Sequence, residues 1–120
     1  MKTILIIEDE KALIKNLELA LAKDFKILSA TTGDEGLKKA KKEKPDLVLL
    51  DIMLPDTNGF EILKDLKKEK STEAIPVIIL TNLGDAQTVS NILAAGGKEY
   101  LVKADWSIDE IAEKIKTTLN

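Results

Sequence analysis

The 120-residue sequence predicts an α/β fold, a doubly wound five-stranded parallel sheet in the order 2-1-3-4-5 with helices on both faces. Three observations predict it. Short apolar runs alternate five times with longer amphipathic ones. Most of the short runs are continuously apolar, as strands are when both sheet faces are covered. Right-handed crossovers then leave few topologies at this length, and 2-1-3-4-5 is the most natural of them.

The first strand runs from Thr3 to Ile7, and the helix after it carries Leu13, Leu17, Ala20 and Leu21 on one face. Phe25 to Ser29 forms the second strand. Thr32 with Glu35 then makes a capping box ahead of Leu37 and Ala40. Asp46 to Leu50, Pro76 to Leu80 and Glu99 to Val102 are the remaining strands, each followed by a helical stretch. The last helix has the plainest pattern. Ser107 and Glu110 cap it, and Ile108, Ile111, Ala112, Ile115 and Leu119 recur at helical spacing. No linker or low-complexity tract interrupts this order, so residues 1–120 are expected to form a single domain.

Composition narrows the chemistry. The chain is 44% apolar and 32% charged, which excludes disorder and collagen-like repeats. No run approaches the roughly 18 apolar residues of a membrane span, and Met1-Lys2-Thr3 is too short a start for a secretory signal. A cytoplasmic protein with no membrane partner is expected. With no Cys there is no disulfide, thiol nucleophile or zinc knuckle, and with no His the usual general base near neutral pH is missing. All 18 basic residues are Lys, and the net charge is −3, which argues against direct nucleic-acid binding. Carboxylates, Lys, Ser/Thr and a hard cation are left to do any chemistry.

Open parallel sheets bind ligands beyond the carboxyl ends of their strands, where strand order reverses. Here that point lies between the first and third strands. The first strand exits into Glu8-Asp9-Glu10, the third into Asp51, the fourth into Thr81 and the fifth into Lys103. Singly, each has an ordinary structural use: acids favour a helix N-terminus, Asp51 caps a turn, Thr81 caps a helix and Lys103 is solvated. Together they are harder to dismiss. Glu8, Asp9 and Asp51 converge on one crevice, where like charges repel unless something positive joins them. Lys103 supplies one charge and a hard divalent cation two, and oxygen-only ligands with few protein donors fit Mg²⁺. A carboxylate so placed, Asp51, can attack phosphorus, and the Thr81 hydroxyl can hydrogen-bond a phosphoryl oxygen once the group is present.

At this point the residues match a family. The chain resembles the receiver domains of two-component response regulators, which share the flavodoxin-like (βα)5 fold. The resemblance covers essentially all 120 residues. It rests on Ile4-Leu5-Ile6-Ile7-Glu8-Asp9-Glu10, on Asp46 to Pro55 with Asn58-Gly59-Phe60, on Val77 to Thr81, on Ala95-Gly96-Gly97 and on Tyr100-Leu101-Val102-Lys103. It implies that Asp51 is the phosphoacceptor and Asp9 a direct Mg²⁺ ligand, with Glu8 acting mainly through a metal-bound water. Met53 would offer only its backbone carbonyl to the metal. Lys103 would pair with the phosphate, and Thr81 with Tyr100 would form the switch pair. Met53 and Leu83, two residues after the phosphoacceptor and the switch threonine, would flank the path of the hydrolytic water.

The resemblance also implies partners: a sensor histidine kinase or phosphotransfer protein upstream, and a downstream protein on the face of the fourth helix, fifth strand and fifth helix. Without Arg, no Arg–carboxylate dimer contacts form across that face, so an unphosphorylated monomer is expected. Two departures from the family pattern stand out. Ala104 replaces the usual Pro after the lysine, so the Lys103–Ala104 peptide is expected trans. Asn82 replaces a usually small residue after Thr81, and narrows access to Asp51. The expected function is a phosphorylation-switched signalling domain and not an enzyme. The alternative is a receiver-fold interaction module that works without phosphorylation. A haloacid-dehalogenase-type phosphatase would need a second Asp where Met53 stands, and a flavin carrier would not place Glu8-Asp9-Glu10 against a phosphate.

Overall fold

The computed structural model describes residues 1–82 and 86–120. Its elements alternate throughout: β1 (Lys2–Ile7), α1 (Lys11–Leu21), β2 (Phe25–Ala30), α2 (Gly33–Glu43), β3 (Leu47–Asp51), α3 (Gly59–Lys68), β4 (Val77–Thr81), α4 (Ala86–Ala94), β5 (Glu99–Val102) and α5 (Ile108–Leu119). The strands pair in parallel in the order β2-β1-β3-β4-β5, as expected.

Successive residues of a strand point to opposite faces, so a strand covered on both sides must be apolar throughout. β1 does this with four aliphatic residues. Ile4 and Ile6 enter the layer packed by α1 and α5, with Leu17, Leu21, Ile111 and Ile115. Leu5 and Ile7 enter the opposite layer, with Ile62, Leu63, Leu66 and Ile92. All four are fully buried.

Several local expectations needed correction. β3 and β4 each run one residue further than the apolar pattern, because Asp51 pairs in register with Leu80 and Thr81 with Val102. Both polar residues are therefore held in the sheet ladder itself. In α1 the buried positions are Ile14, Leu17 and Leu21, while Leu13 and Ala20 pack only at the margin. The Thr32–Glu35 box closes on one side only. The Glu35 N–H donates to Thr32 Oγ1 at 3.2 Å, but the Glu35 carboxylate turns to Lys39 Nζ at 3.5 Å. The Ser107–Glu110 box closes on both sides, at 2.9 and 3.1 Å. No cis peptide occurs among the described residues, so the Lys103–Ala104 bond is trans. A single 3-10 turn, Lys103–Asp105, leads from β5 to the Ser107 cap of α5.

Candidate functional site

β1 and β3 lie side by side, and the chain leaves them toward opposite faces of the sheet, which opens a crevice at their carboxyl ends. Glu8 follows β1 and Asp51 closes β3. Glu8, Asp9 and Asp51 each place a carboxylate oxygen within 4.8 Å of the other two. Glu8 and Asp51 are only 2% and 4% exposed, whereas Asp9 faces solvent. Lys103 reaches into the cluster from the far side. Its Nζ lies 3.1 Å from Asp51 Oδ2, in hydrogen-bond alignment, and 2.8 Å from Glu8 Oε1.

The two acidic partners of Lys103 are not equivalent. Glu8 Oε2 accepts the Glu10 N–H at 3.0 Å, but Oε1 meets the ammonium off the line that a hydrogen bond requires. Among the described residues it is the buried side-chain oxygen left with charge nearby but no hydrogen-bond donor. Burial pushes the Glu8 carboxyl up to about 7, although Lys103 and the Glu10 N–H draw it down; the Asp51 charge adds to the rise. Burial alone would lower the Lys103 ammonium, but Glu8 and Asp51 outweigh it and hold Lys103 above its ordinary value. A buried carboxylate oxygen with an ion pair but no aligned hydrogen bond, beside two further carboxylates, is a donor set for a hard divalent cation. Residues that fit such an ion are thus present.

The loop after β3 is shaped by its own sequence. Asp51 Oδ1 accepts the Met53 N–H at 3.1 Å, and Met53 pairs with Asn58 in an isolated antiparallel bridge. This brings the chain back behind Asp51, where the Gly59 N–H donates to Ile52 O at 2.6 Å. A Cβ at Gly59 would stand 2.1 Å from the Asp51 carbonyl oxygen, so only glycine lets the loop pass. Asn58 Oδ1 then caps α3 through the Phe60 N–H at 2.8 Å.

The remaining expected residues fall into place unevenly. Thr81 is fully buried at the end of β4. Tyr100 pairs with Ile79, two residues before Thr81 in the same strand, so both belong to one face of the sheet. It is half-buried against the layer that holds Ile79 and Ile92. Met53 is 56% exposed and Asn82 is also exposed. Leu83 lies outside the described residues. Two contributors escaped the sequence reading. One is the Glu10 backbone N–H on Glu8, for which a sequence carries no signal. The other is Asp56, whose carboxylate reaches the N-terminus of α2. Its setting in Pro55-Asp56-Thr57-Asn58-Gly59 signals a turn but not its distant partner.

A family model, the response regulator receiver domain, matches residues 4–116. The chain belongs to the response regulator receiver domain family. Response regulator ArlR of Staphylococcus haemolyticus is 38% identical over 120 residues, which is 99% of this chain and 53% of ArlR. This receiver domain spans about half the length of the curated relatives it matches. A CheY-like receiver domain protein from Methanospirillum hungatei superposes with a TM-score of 0.91 at 31% identity, covering 99% of this chain and 94% of that one. The Mn²⁺-bound form of response regulator Rcp1 superposes at 0.86 with 25% identity, covering 98% and 93%. No helix of the receiver domain, among its described residues, is long and apolar enough to cross a membrane.

Proposed function

We propose that this receiver domain, residues 1–120, accepts a phosphoryl group on Asp51 from a phosphohistidine of a sensor histidine kinase or phosphotransfer protein. The observation that carries the reading is the grouping of three carboxylates within 4.8 Å, with Lys103 Nζ at 3.1 Å from Asp51 Oδ2. These 120 residues contain no His, so the donor imidazole lies outside them. An Asp51 oxygen forms the new P–O bond while the P–N bond to the donor imidazole breaks, and the departing nitrogen takes a proton from water.

Asp9, Asp51 and the Met53 carbonyl would hold Mg²⁺, with Glu8 beside them, and the relative Rcp1 in its Mn²⁺-bound form supports a divalent ion in this fold. Such an ion supplies charge neutralisation of the incoming phosphoryl oxygens. Lys103 does the same from the other side. Its charge is maintained by Glu8 and Asp51, so it can follow an oxygen of the new phosphoryl group without losing its proton. The Thr81 hydroxyl donates to another of those oxygens, and the Tyr100 ring fills the space that Thr81 leaves.

The change is read on the face of α4, β5 and α5. A cleft of about 340 Å³ there is lined by Leu93, Tyr100, Val102 and Trp106, and Leu93 is half exposed. A downstream protein takes its apolar contacts from these side chains, and no direct nucleic-acid contact is involved. The unphosphorylated domain is a cytoplasmic monomer. Because it turns over no independent substrate, it is a signalling domain and not an enzyme. The test is incubation with acetyl phosphate and Mg²⁺ followed by intact mass. One added phosphoryl group is expected, absent in Asp51→Ala and in excess EDTA. Equal labelling of either control overturns the assignment.

A further inference from the structure

Asp56 stands three residues beyond Met53, and its carboxylate crosses to a different helix. Its Oδ1 accepts the Gly33 N–H at 2.8 Å and its Oδ2 accepts the Asp34 N–H at 3.0 Å. These are the first two N–H groups of α2, which have no partner inside the helix. Those two donors, Gly33 first, hold the Asp56 carboxyl below its ordinary value.

Two glycines set how closely α2 approaches its surroundings. A Cβ at Gly33 would meet Thr57 Cγ2 at 2.5 Å, so a side chain there would have to displace the Thr57 methyl. A Cβ at Gly36 would meet the Ile7 side chain at 2.6 Å, and Ile7 is the residue directly before Glu8. The first turn of α2 is thus seated between the chain that leads into Glu8 and the loop that follows Asp51.

Asp56 is one of several groups that favour this helix start. Thr32 already caps α2 at 3.2 Å, and Asp34 and Glu35 already supply acid to its first turn. What Asp56 adds is a tie on the loop. That loop is linked to the site through the Met53 N–H on Asp51 Oδ1 and the Met53–Asn58 bridge.

We infer that Asp56 is a positioning residue that ties the loop from Met53 to Asn58 onto α2, so that the cation site formed with Glu8, Asp9 and Asp51 is pre-organised. The inference rests on the metal-assisted phosphorylation proposed above. Without the tie, binding the ion must also order the loop, and affinity falls while the bound site keeps its chemistry.

The experiment is calorimetric titration of the unphosphorylated protein with Mg²⁺, for wild type, Asp56→Ala, Asp56→Asn and the control Asp34→Asn. Urea midpoints in EDTA are recorded alongside. Asp56→Ala is expected to raise the Mg²⁺ dissociation constant about tenfold. Asp56→Asn keeps one acceptor oxygen and is expected to recover part of that loss. Asp34→Asn removes the same charge beside the same helix and is expected to bind as wild type does. At saturating Mg²⁺, acetyl phosphate should label Asp56→Ala at the wild-type rate. An unchanged Mg²⁺ dissociation constant in Asp56→Ala, whatever its urea midpoint, overturns the inference and leaves the phosphorylation reading intact. Equal weakening in Asp34→Asn overturns it too, because charge alone would then explain the effect. A wild type that binds no Mg²⁺ removes both.

Discussion

Replacing Glu8 with Gln measures what it costs to bury a carboxylate at the head of this site. Glu8 is 2% exposed, and burial raises its carboxyl from 4.5 to about 7. The folded chain therefore holds this proton more tightly than the unfolded chain does. Its contribution to stability is full below pH 4.5 and is lost as pH rises through 7. The shift corresponds to about 3 kcal/mol in all, of which roughly 2 kcal/mol disappears between pH 5 and 7.5. Lys103 is held above its ordinary value, so it stays charged across this window and adds no slope. Urea unfolding in EDTA at several pH values should show wild type losing stability relative to Glu8→Gln as pH rises. Mg²⁺ at about a hundred times its dissociation constant should add roughly 2.7 kcal/mol to the wild type. It favours the ionised carboxylate, so it should act most strongly at the alkaline end and flatten the slope. Parallel pH profiles for wild type and Glu8→Gln in EDTA would refute the reasoning, since Glu8 would then titrate alike in folded and unfolded chains.

Three further outcomes are expected. Gly59→Ala places a methyl 2.1 Å from the Asp51 carbonyl oxygen, a contact that only backbone movement relieves. It should cost about 3 kcal/mol in urea unfolding and abolish acetyl phosphate labelling even where the variant is folded; wild-type labelling would count against the loop geometry. Met53 is exposed and apolar beside Asp51 and cannot orient a water, so the phosphorylated state should be long-lived. Met53→Asn, Leu83→Glu and the double variant should each lose phosphate faster in excess Mg²⁺, as followed by intact mass. An unchanged or slower rate excludes water obstruction at these positions. Finally, light scattering at low micromolar concentration should report an unphosphorylated monomer, and a stable dimer would contradict the argument from the missing Arg.

The sequence alone determined the strand order and the identity of the residues at the strand ends. Five apolar runs, most of them continuous, need cover on both faces, and crossover handedness then leaves few orders, of which the observed one is the most natural. That order places Glu8, Asp9, Asp51 and Lys103 together without any knowledge of side-chain packing. It was also enough to foresee the trans peptide at Lys103–Ala104 and the cap at Ser107. These are short-range matters of dihedral preference and spacing. Tertiary structure decided the rest. Whether Leu13 or Ile14 fills the core depends on the angle at which α1 meets the sheet, which periodicity leaves loose by about one position. Glu35 had two partners within reach, Thr32 and Lys39, and only the folded helix shows which one its carboxylate takes. Glu8 and Asp9 read alike as acids after a strand, yet one is buried beside Lys103 and raised while the other faces water. Asp56 caps a helix that begins 23 residues earlier in the chain. Such differences arise from desolvation and from charges and donors distant in sequence, and those sums exist only once the chain has closed on itself.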